Sequence, residues 1–232
     1  MRVLFVSSGR QGDVGYVVRN QGESLNRYGL GIDYLTIKPS LLGYVDAILR
    51  IRRKFRAGRY DLVHAHYSLS AFSASLAGDF PLIVSLMGSD AHHNLIVRWL
   101  IRLLSALRWR VTIVKTEEMK RHLGLVKAHV IPNGVDTDMF IPIDRQSARR
   151  RLGITPETKA ILFIGAGNRP EKRLALAQDA VAILDEPTVS LIQLHHTDNY
   201  EIPYYLGAAD MLLLTSSREG SVNVVKEAMA CN

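Results

Sequence analysis

Residues 3–15 read Val3-Leu4-Phe5-Val6-Ser7-Ser8-Gly9-Arg10-Gln11-Gly12-Asp13-Val14-Gly15. Four apolar residues in a row, two of them β-branched, make a short strand, and the glycines behind them make a turn into residues of helical period. The same alternation continues down the chain, with strands expected at 3–7, 32–37, 62–66, 82–86, 111–114 and 129–131 and helices in the gaps. Between the second and third strands, Tyr44, Ile48, Ile51 and Phe55 recur at steps of four, three and four. That is the buried stripe of an amphipathic helix, with Arg50, Arg53 and Arg56 off the stripe. Short strands alternating with helices specify an α/β fold of parallel sheets covered by helices.

Ile131-Pro132-Asn133-Gly134 interrupts the pattern, because proline stops a strand and Asn-Gly favours left-handed backbone angles. We therefore expect a first domain at 1–143 and a second at 144–232. The second alternation has a strand at 160–165, a helix at 171–184 whose inner face is Leu174, Ala177, Val181 and Leu184, and a strand at 189–194. A short helix at 202–209, a buried strand at 211–215 and a helix opening near Ser221 follow. Two β/α units facing a cleft are the expected layout. The second is expected to be incomplete, since a doubly wound half carries about five strands or more.

The composition narrows the function classes. A chain of 232 residues with 47% apolar and 22% charged residues buries a real core. No stretch reaches the ~18–20 uncharged apolar residues of a membrane span, and the best candidate, 94–110, carries Arg98, Arg102, Arg108 and Arg110. The opening apolar run is too short for a secretory signal, and the one cysteine, Cys231, allows neither an internal disulfide nor a zinc cluster, so the cytoplasm is expected. The formal charge of +7 is uneven: residues 1–143 hold 19 Lys and Arg against 11 Asp and Glu, and residues 144–232 hold 10 against 11. A basic front half attracts an anionic partner.

Ligands of such folds bind at the carboxyl ends of the strands, where backbone N–H groups at a helix start hold anions. The first glycine turn, Gly9 to Gly15, lacks the dinucleotide fingerprint because Gln11 stands at its second glycine. In the second, Gly165-Ala166-Gly167-Asn168-Arg169-Pro170, Pro170 takes the third. A tight turn alone would account for any one of these glycines. Arg169 and Lys172 add a chemical argument, since two cations at a helix start repel unless an anion lies between them. Glu219 and Glu227, eight residues apart, bracket Gly220, Ser221 and Asn223, which offer small side chains and backbone amides for a phosphate or sugar. Carboxylates suit sugar and ribose hydroxyls because they accept several hydrogen bonds.

Together the motifs resemble a known family. Asp61-Leu62-Val63-His64-Ala65-His66, Met87-Gly88-Ser89-Asp90, Ile131-Pro132-Asn133-Gly134-Val135-Asp136, Arg169-Pro170-Glu171-Lys172 and Glu219-Gly220-Ser221 leading to Glu227-Ala228-Met229-Ala230 occur in order along nearly the whole chain. They look like the retaining, nucleotide-sugar-dependent glycosyltransferases of family 4, which have the two-Rossmann GT-B fold.

The resemblance implies transfer of a sugar from a nucleoside-diphosphate sugar to a glycan or lipid-linked acceptor. Arg169 and Lys172 would neutralise the donor diphosphate, Glu227 would hold the ribose hydroxyls and Glu219 the donor sugar. The amides of Gly220, Ser221 and Asn223 would add contacts, and Gly12 and Gly15 would approach the phosphate from the other domain. Asp90 joins the catalytic set as the matching acidic residue, and His66, Tyr67 and Met87 fall on the acceptor side. Neither metal nor cofactor is implied. Met87 departs from the histidine frequent in the family, and a core role suits it, because methionine is soft packing material. The family continues beyond Glu-Ala-Met-Ala-Cys-Asn, which implies weak donor binding and slow or absent turnover here.

Competing readings use other residues. Asp136-Thr137-Asp138 mimics a metal-binding D-x-D but lies in the connection between domains. His64, His66, His92 and His93 lie beyond two strand ends and would make a metal hydrolase if they converged, yet no carboxylate motif accompanies them. Nucleic acid is disfavoured because only 7% of residues are aromatic and Phe55 belongs to the inner stripe. An anionic membrane is the better partner for the basic helices, Arg50, Arg52, Arg53, Lys54 and Arg56 on one and Arg98 and Arg102 with Trp99 and Trp109 on another, with peripheral contact at the inner face of the cell membrane. A nucleotide-sugar epimerase of the same fold, or a non-catalytic nucleotide-sugar or membrane-binding module, are the alternatives to transfer.

Overall fold

A computed structural model describes residues 1–9, 13–165, 169–195, 197–217 and 222–231, with the side chain of His92 also outside the description. The chain divides into two compact units, Met1–Asn133 and Gly134–Asn232, a division that falls within the Pro-Asn-Gly segment and ahead of the expected 143/144 boundary.

In the first unit a parallel sheet is built from β1 (Arg2–Ser8), β2 (Gly31–Ile37), β3 (Leu62–His66), β4 (Leu82–Ser85), β5 (Val111–Val114) and β6 (His129–Val130), in the order β2-β1-β3-β4-β5-β6. Helices α1 (Tyr16–Arg27), α2 (Leu41–Arg56), α3 (Ser68–Ala77), α4 (Leu95–Leu107) and α5 (Glu117–Leu123) connect the strands. The central strand β1 is buried almost throughout, as a strand covered on both faces must be. Its side chains alternate. Leu4 and Val6 join the main core with Leu35, Val63 and Ile51, whereas Val3 and Phe5 pack with Val18 of α1 on the other face.

The predicted stripe on α2 is inward: Ile51 is fully buried, and Tyr44, Ile48 and Phe55 pack against the core. Its neighbour α3 buries Ser68, Ser70, Ala71, Ser73, Ala74 and Ala77, small residues that bring this helix close to the sheet and to α2. Helix ends leave carbonyls without intrahelical partners. Here arginines take them up. Arg52 donates to the carbonyls of Ala77 and Leu76 at 2.7 and 3.1 Å, and Arg108 donates to that of Gly78. Arg98 donates to His122 at 2.7 Å and Arg102 to Leu123 at 2.6 Å, at the end of α5. Part of the positive charge of the front half thus serves helix termination. Trp109, expected on an exposed face, is instead buried, with Nε1 donating to Ser75 Oγ at 2.9 Å.

The second unit holds β7 (Lys159–Ile164), β8 (Val189–Leu194) and β9 (Met211–Leu212) in the parallel order β8-β7-β9, with α6 (Arg145–Leu152), α7 (Leu174–Ala182), α8 (Ile202–Ala208) and α9 (Asn223–Ala230). This sheet is the smaller one. Three expectations are corrected here. The strand expected at 211–215 is neither long nor buried: it spans two residues, and Met211 is exposed. Among the described residues its one sheet neighbour is β7, so its outer edge lacks a covering strand. The helix expected at 171–184 is interrupted at Arg173, which adopts left-handed angles (φ 53°), so a 3-10 turn at Pro170–Lys172 precedes α7. Leu184 lies past the end of α7 and is exposed, and of the expected inner face Ala177 is fully buried.

Buried Arg149 of α6 binds the unit together. It donates to the carbonyls of Ala208, Pro156 and Thr158 at 3.0, 2.8 and 2.9 Å and to Asp210 Oδ2 at 2.8 Å. Asp210 also accepts from the amide of Ala160 at 2.7 Å and pairs with Arg145. Arg149→Met is expected to lower the unfolding free energy by about 2–4 kcal/mol, because it removes hydrogen bonds to three carbonyls, that of Ala208 buried, and one of the two arginine partners of Asp210. Urea denaturation checks this, with exposed Arg150→Met as the control that changes stability by about 0.5 kcal/mol or less.

Candidate functional site

Both sheets present loops at the carboxyl ends of their strands. In the first unit, β1 runs into Gly9, whose amide donates to Ile37 O at 3.1 Å. A Cβ at Gly9 would collide with the carbonyl oxygen of Asp13, so this position requires glycine. Gly15, at the start of α1, has open space where a Cβ would stand, and no side chain caps that helix. Gly12 lies outside the described residues.

Strand periodicity puts His64 and His66 on one face of β3, as expected. Their rings stack with centroids 4.3 Å apart, and Phe5 packs at 5.0 Å from His64 and 4.7 Å from His66. His64 Nε2 meets Ser85 Oγ at 2.9 Å, and His66 Nε2 meets Gln21 Oε1 at 3.0 Å. Burial, with the nearby charge of buried Lys115 as a second cause, holds His64 down to about 3. His66 is also held well below its ordinary value, by burial first and then by His64 and Lys115. Both rings are therefore neutral at physiological pH. Of the four histidines of the metal-hydrolase alternative, the side chain of His92 lies outside the description, and among the described residues no three His, Cys, Asp or Glu side chains form a group able to hold a metal ion.

Asp90 is fully buried. One of its oxygens accepts from the amide of Ser68 at 3.0 Å and the other from that of Met87 at 2.6 Å, while His93 Nε2 lies 3.5 Å away. It thus caps the amino end of α3 from another segment, since Tyr67 provides no side-chain cap of its own. The cap also holds Tyr67 in a positive-φ conformation (76°) that L-residues seldom adopt. Burial, then the charge of Asp90, pushes the Tyr67 phenol up to about 12. The thioether of Met87 packs with Val3, Phe5 and Val18.

In the second unit, the Arg169 guanidinium is exposed and donates from Nε to Glu171 Oε1 at 2.7 Å. The anion inferred between the two cations is, in this state, supplied in part by the chain itself. A Cβ on Gly165 would approach Lys172 Cγ to 3.3 Å, so the β7 turn lies directly against the base of that lysine. The residues after β9 are fastened to this turn. Thr215 Oγ1 donates to the carbonyls of Lys172 and Arg173 at 2.8 and 3.0 Å, and the amide of Ser217 donates to Glu171 O at 2.9 Å.

The structure therefore brings the Arg169 and Lys172 turn together with the segment entering the two-glutamate motif. Glu219, Gly220 and Ser221 themselves lie outside the described residues. Asn223 opens α9, and Glu227, four residues on, is half-buried, its carboxyl raised by that burial while Lys226 opposes the shift. Thr215, Ser217 and left-handed Arg173 escaped the sequence reading. A hydroxyl that bonds a distant carbonyl leaves no local pattern, and positive φ at arginine is invisible in composition.

The family model described as Glycosyltransferase Family 4 matches residues 2–139. A D-inositol 3-phosphate glycosyltransferase of Geodermatophilus obscurus is 30% identical over 194 residues, covering 72% of this chain and 41% of the relative. One from Mycobacterium sp. strain KMS is 28% identical, covering 87% and 56%. The chain spans about a third to just over half the length of the curated relatives it matches. Among solved structures, sucrose-phosphate synthase of Thermosynechococcus elongatus superposes with a TM-score of 0.75 at 16% identity, over 99% of this chain and 79% of that one. Anabaena HepE, solved in complex with UDP and glucose, gives 0.69 at 18%, over 100% and 78%. At these identities the structural likeness speaks to the fold.

The buried histidines make stability depend on pH. Folded, they stay neutral; unfolded, they protonate below about 6.5, so acid favours the unfolded chain. Their contribution is complete above about pH 6.5 and declines as the pH falls toward 3, by up to about 1.4 kcal/mol per pH unit for each ring. Denaturation curves between pH 7 and 5 are expected to follow this slope, and His64→Gln to make it shallower. Arg173→Gly is expected to raise stability by about 1 kcal/mol by removing left-handed strain, read as an increased melting temperature.

Proposed function

The chain belongs to glycosyltransferase family 4, and on that premise we propose that it carries the donor and acceptor surfaces of a retaining transferase that moves a sugar from a nucleoside-diphosphate sugar to an acceptor hydroxyl. The observation that carries this reading is the pair of fastenings in the second unit, Thr215 to Lys172 and Ser217 to Glu171, which hold a cationic turn beside the entry to the Glu219 and Glu227 motif.

In this proposal the donor diphosphate competes with Glu171 for Arg169, and Lys172 adds a second charge. Together they stabilise the nucleoside diphosphate as it departs and positive charge develops at the anomeric carbon. These cations take the place that a metal occupies in other transferases. Glu227 accepts from the ribose hydroxyls, and the burial around it makes such bonds stronger than they would be in water. Glu219 orients the donor sugar, with the amides of Gly220, Ser221 and Asn223 beside it. Gly12, and Gly15 with open space where a Cβ would stand, are the candidate phosphate approach in the first unit. Attack on the face from which the diphosphate leaves accounts for retention, and the leaving phosphate takes the acceptor proton. Asp90, buried on two amides, is a positioning residue here: it sets Tyr67 and Met87, and with them the acceptor side next to His66.

Peripheral contact with an anionic membrane at the cytoplasmic face belongs to the same proposal. No helix among the described residues is long and apolar enough to cross a membrane. The support for surface contact is the outer side of α2, where Leu42, Val45 and Leu49 are exposed ahead of exposed Arg53, Lys54 and Arg56.

Calorimetric titration with UDP, the nucleotide in the HepE structure, tests the donor site. Replacing both Arg169 and Lys172 by Ala is expected to weaken binding at least about tenfold. Glu171→Gln, which removes the internal competitor, is expected to strengthen it about two- to fivefold, the range of an exposed ion pair. Equal affinity in all three proteins would end the proposal.

A further inference from the structure

We propose that the cavity between α2 and α3 seats the hydrocarbon portion of an amphiphilic acceptor. This deepens the transferase reading and rests on it for the word acceptor, but the seat itself rests on the geometry of the first unit. The cavity encloses about 860 Å³ at the carboxyl edge of the sheet, a size within the usual ~300–1,000 Å³ of small-molecule sites.

Its two ends differ in chemistry. The cavity's serines gather at the strand ends, where Ser7 and Ser8 close β1 and Ser89 follows β4, beside His66 and Met87. Between the helices it is apolar, with Tyr44, Val45 and Ile48 on α2 facing Leu69 and Phe72 on α3. Within that wall Ser73 Oγ is engaged by the backbone, donating to Tyr44 O at 2.9 Å, and at its exposed end Ser40 Oγ caps α2, accepting from the amide of Gly43 at 3.1 Å. The mouth stays apolar out to solvent, with Leu41 81%, Leu76 65% and Val45 53% exposed. A purely hydrophilic acceptor would leave this wall wet, and apolar surface left in water is unfavourable. A purely apolar ligand would strand the serine end. A molecule with a hydroxylated head and an alkyl chain satisfies both, its head at the strand ends beside Ser7, Ser8 and Ser89.

Calorimetric titration of the full chain with n-alkyl β-glucosides from methyl to octyl, each below its micelle concentration, tests the seat. Affinity is expected to rise about three- to fourfold for each methylene buried along the series. Leu41→Asp combined with Val45→Asp is expected to cost octyl glucoside at least tenfold in affinity while leaving UDP binding unchanged. Both side chains are exposed, so the fold tolerates the change, and an unchanged melting curve verifies that. Equal affinity for methyl and octyl glucoside, no binding of octyl glucoside, or the same chain-length dependence in the double variant overturns the proposal. Chain-length dependence that is lost in the variant, together with failure of wild-type protein to bind UDP, supports the seat and counts against the transferase reading alone.

Discussion

The hydroxyl of Thr215 is shared between two carbonyls, those of Lys172 and Arg173, and much of the second unit's carboxyl edge depends on that sharing. For Arg173 to offer its carbonyl there, its backbone turns left-handed, a conformation that costs about 1–2 kcal/mol in an L-residue. The turn that results stops the 3-10 segment and starts α7, so that Arg169 and Lys172 flank a short 3-10 turn instead of lying in α7. A turn held at two points by β9's continuation keeps its cations at the edge of the sheet.

Much of the fold was legible because its strands and helices state their periods locally. The run Val3 to Val6 and the α2 stripe from Tyr44 to Phe55 are each decided by residues within one element, and they took their expected places. What was not legible depends on distant partners. The segment from Met211 reads as a core strand by hydrophobicity, yet an apolar run cannot tell whether a neighbouring strand exists to cover it. Helix 171–184 reads as continuous because nothing in Arg173 announces positive φ. Trp109 looks like a membrane-facing aromatic until Ser75, thirty-four residues away, accepts a hydrogen bond from its indole N–H.

The candidate site divides in the same way. Arg169 and Lys172 stand out in the sequence because charge after a strand's end is a chemical signal, and motif order adds Glu227 to them. Asp90 stands out by its place in the motif order, but its bonds to the amides of Ser68 and Met87 depend on a helix start that no local pattern announces. The apolar wall between α2 and α3 was hidden because its residues belong to two helices whose facing sides are known only once they pack.

The arginines that end α3 and α5 bear on how this surface can be redesigned. A guanidinium bridging two carbonyls is a planar fork that lysine cannot reproduce. Anyone lowering the pI of this protein, to curb adsorption to columns or nucleic acid during purification, should therefore exchange Arg53, Lys54 and Arg56 and spare Arg52, Arg98, Arg102 and Arg108, whose positive charge is incidental to their work as fasteners.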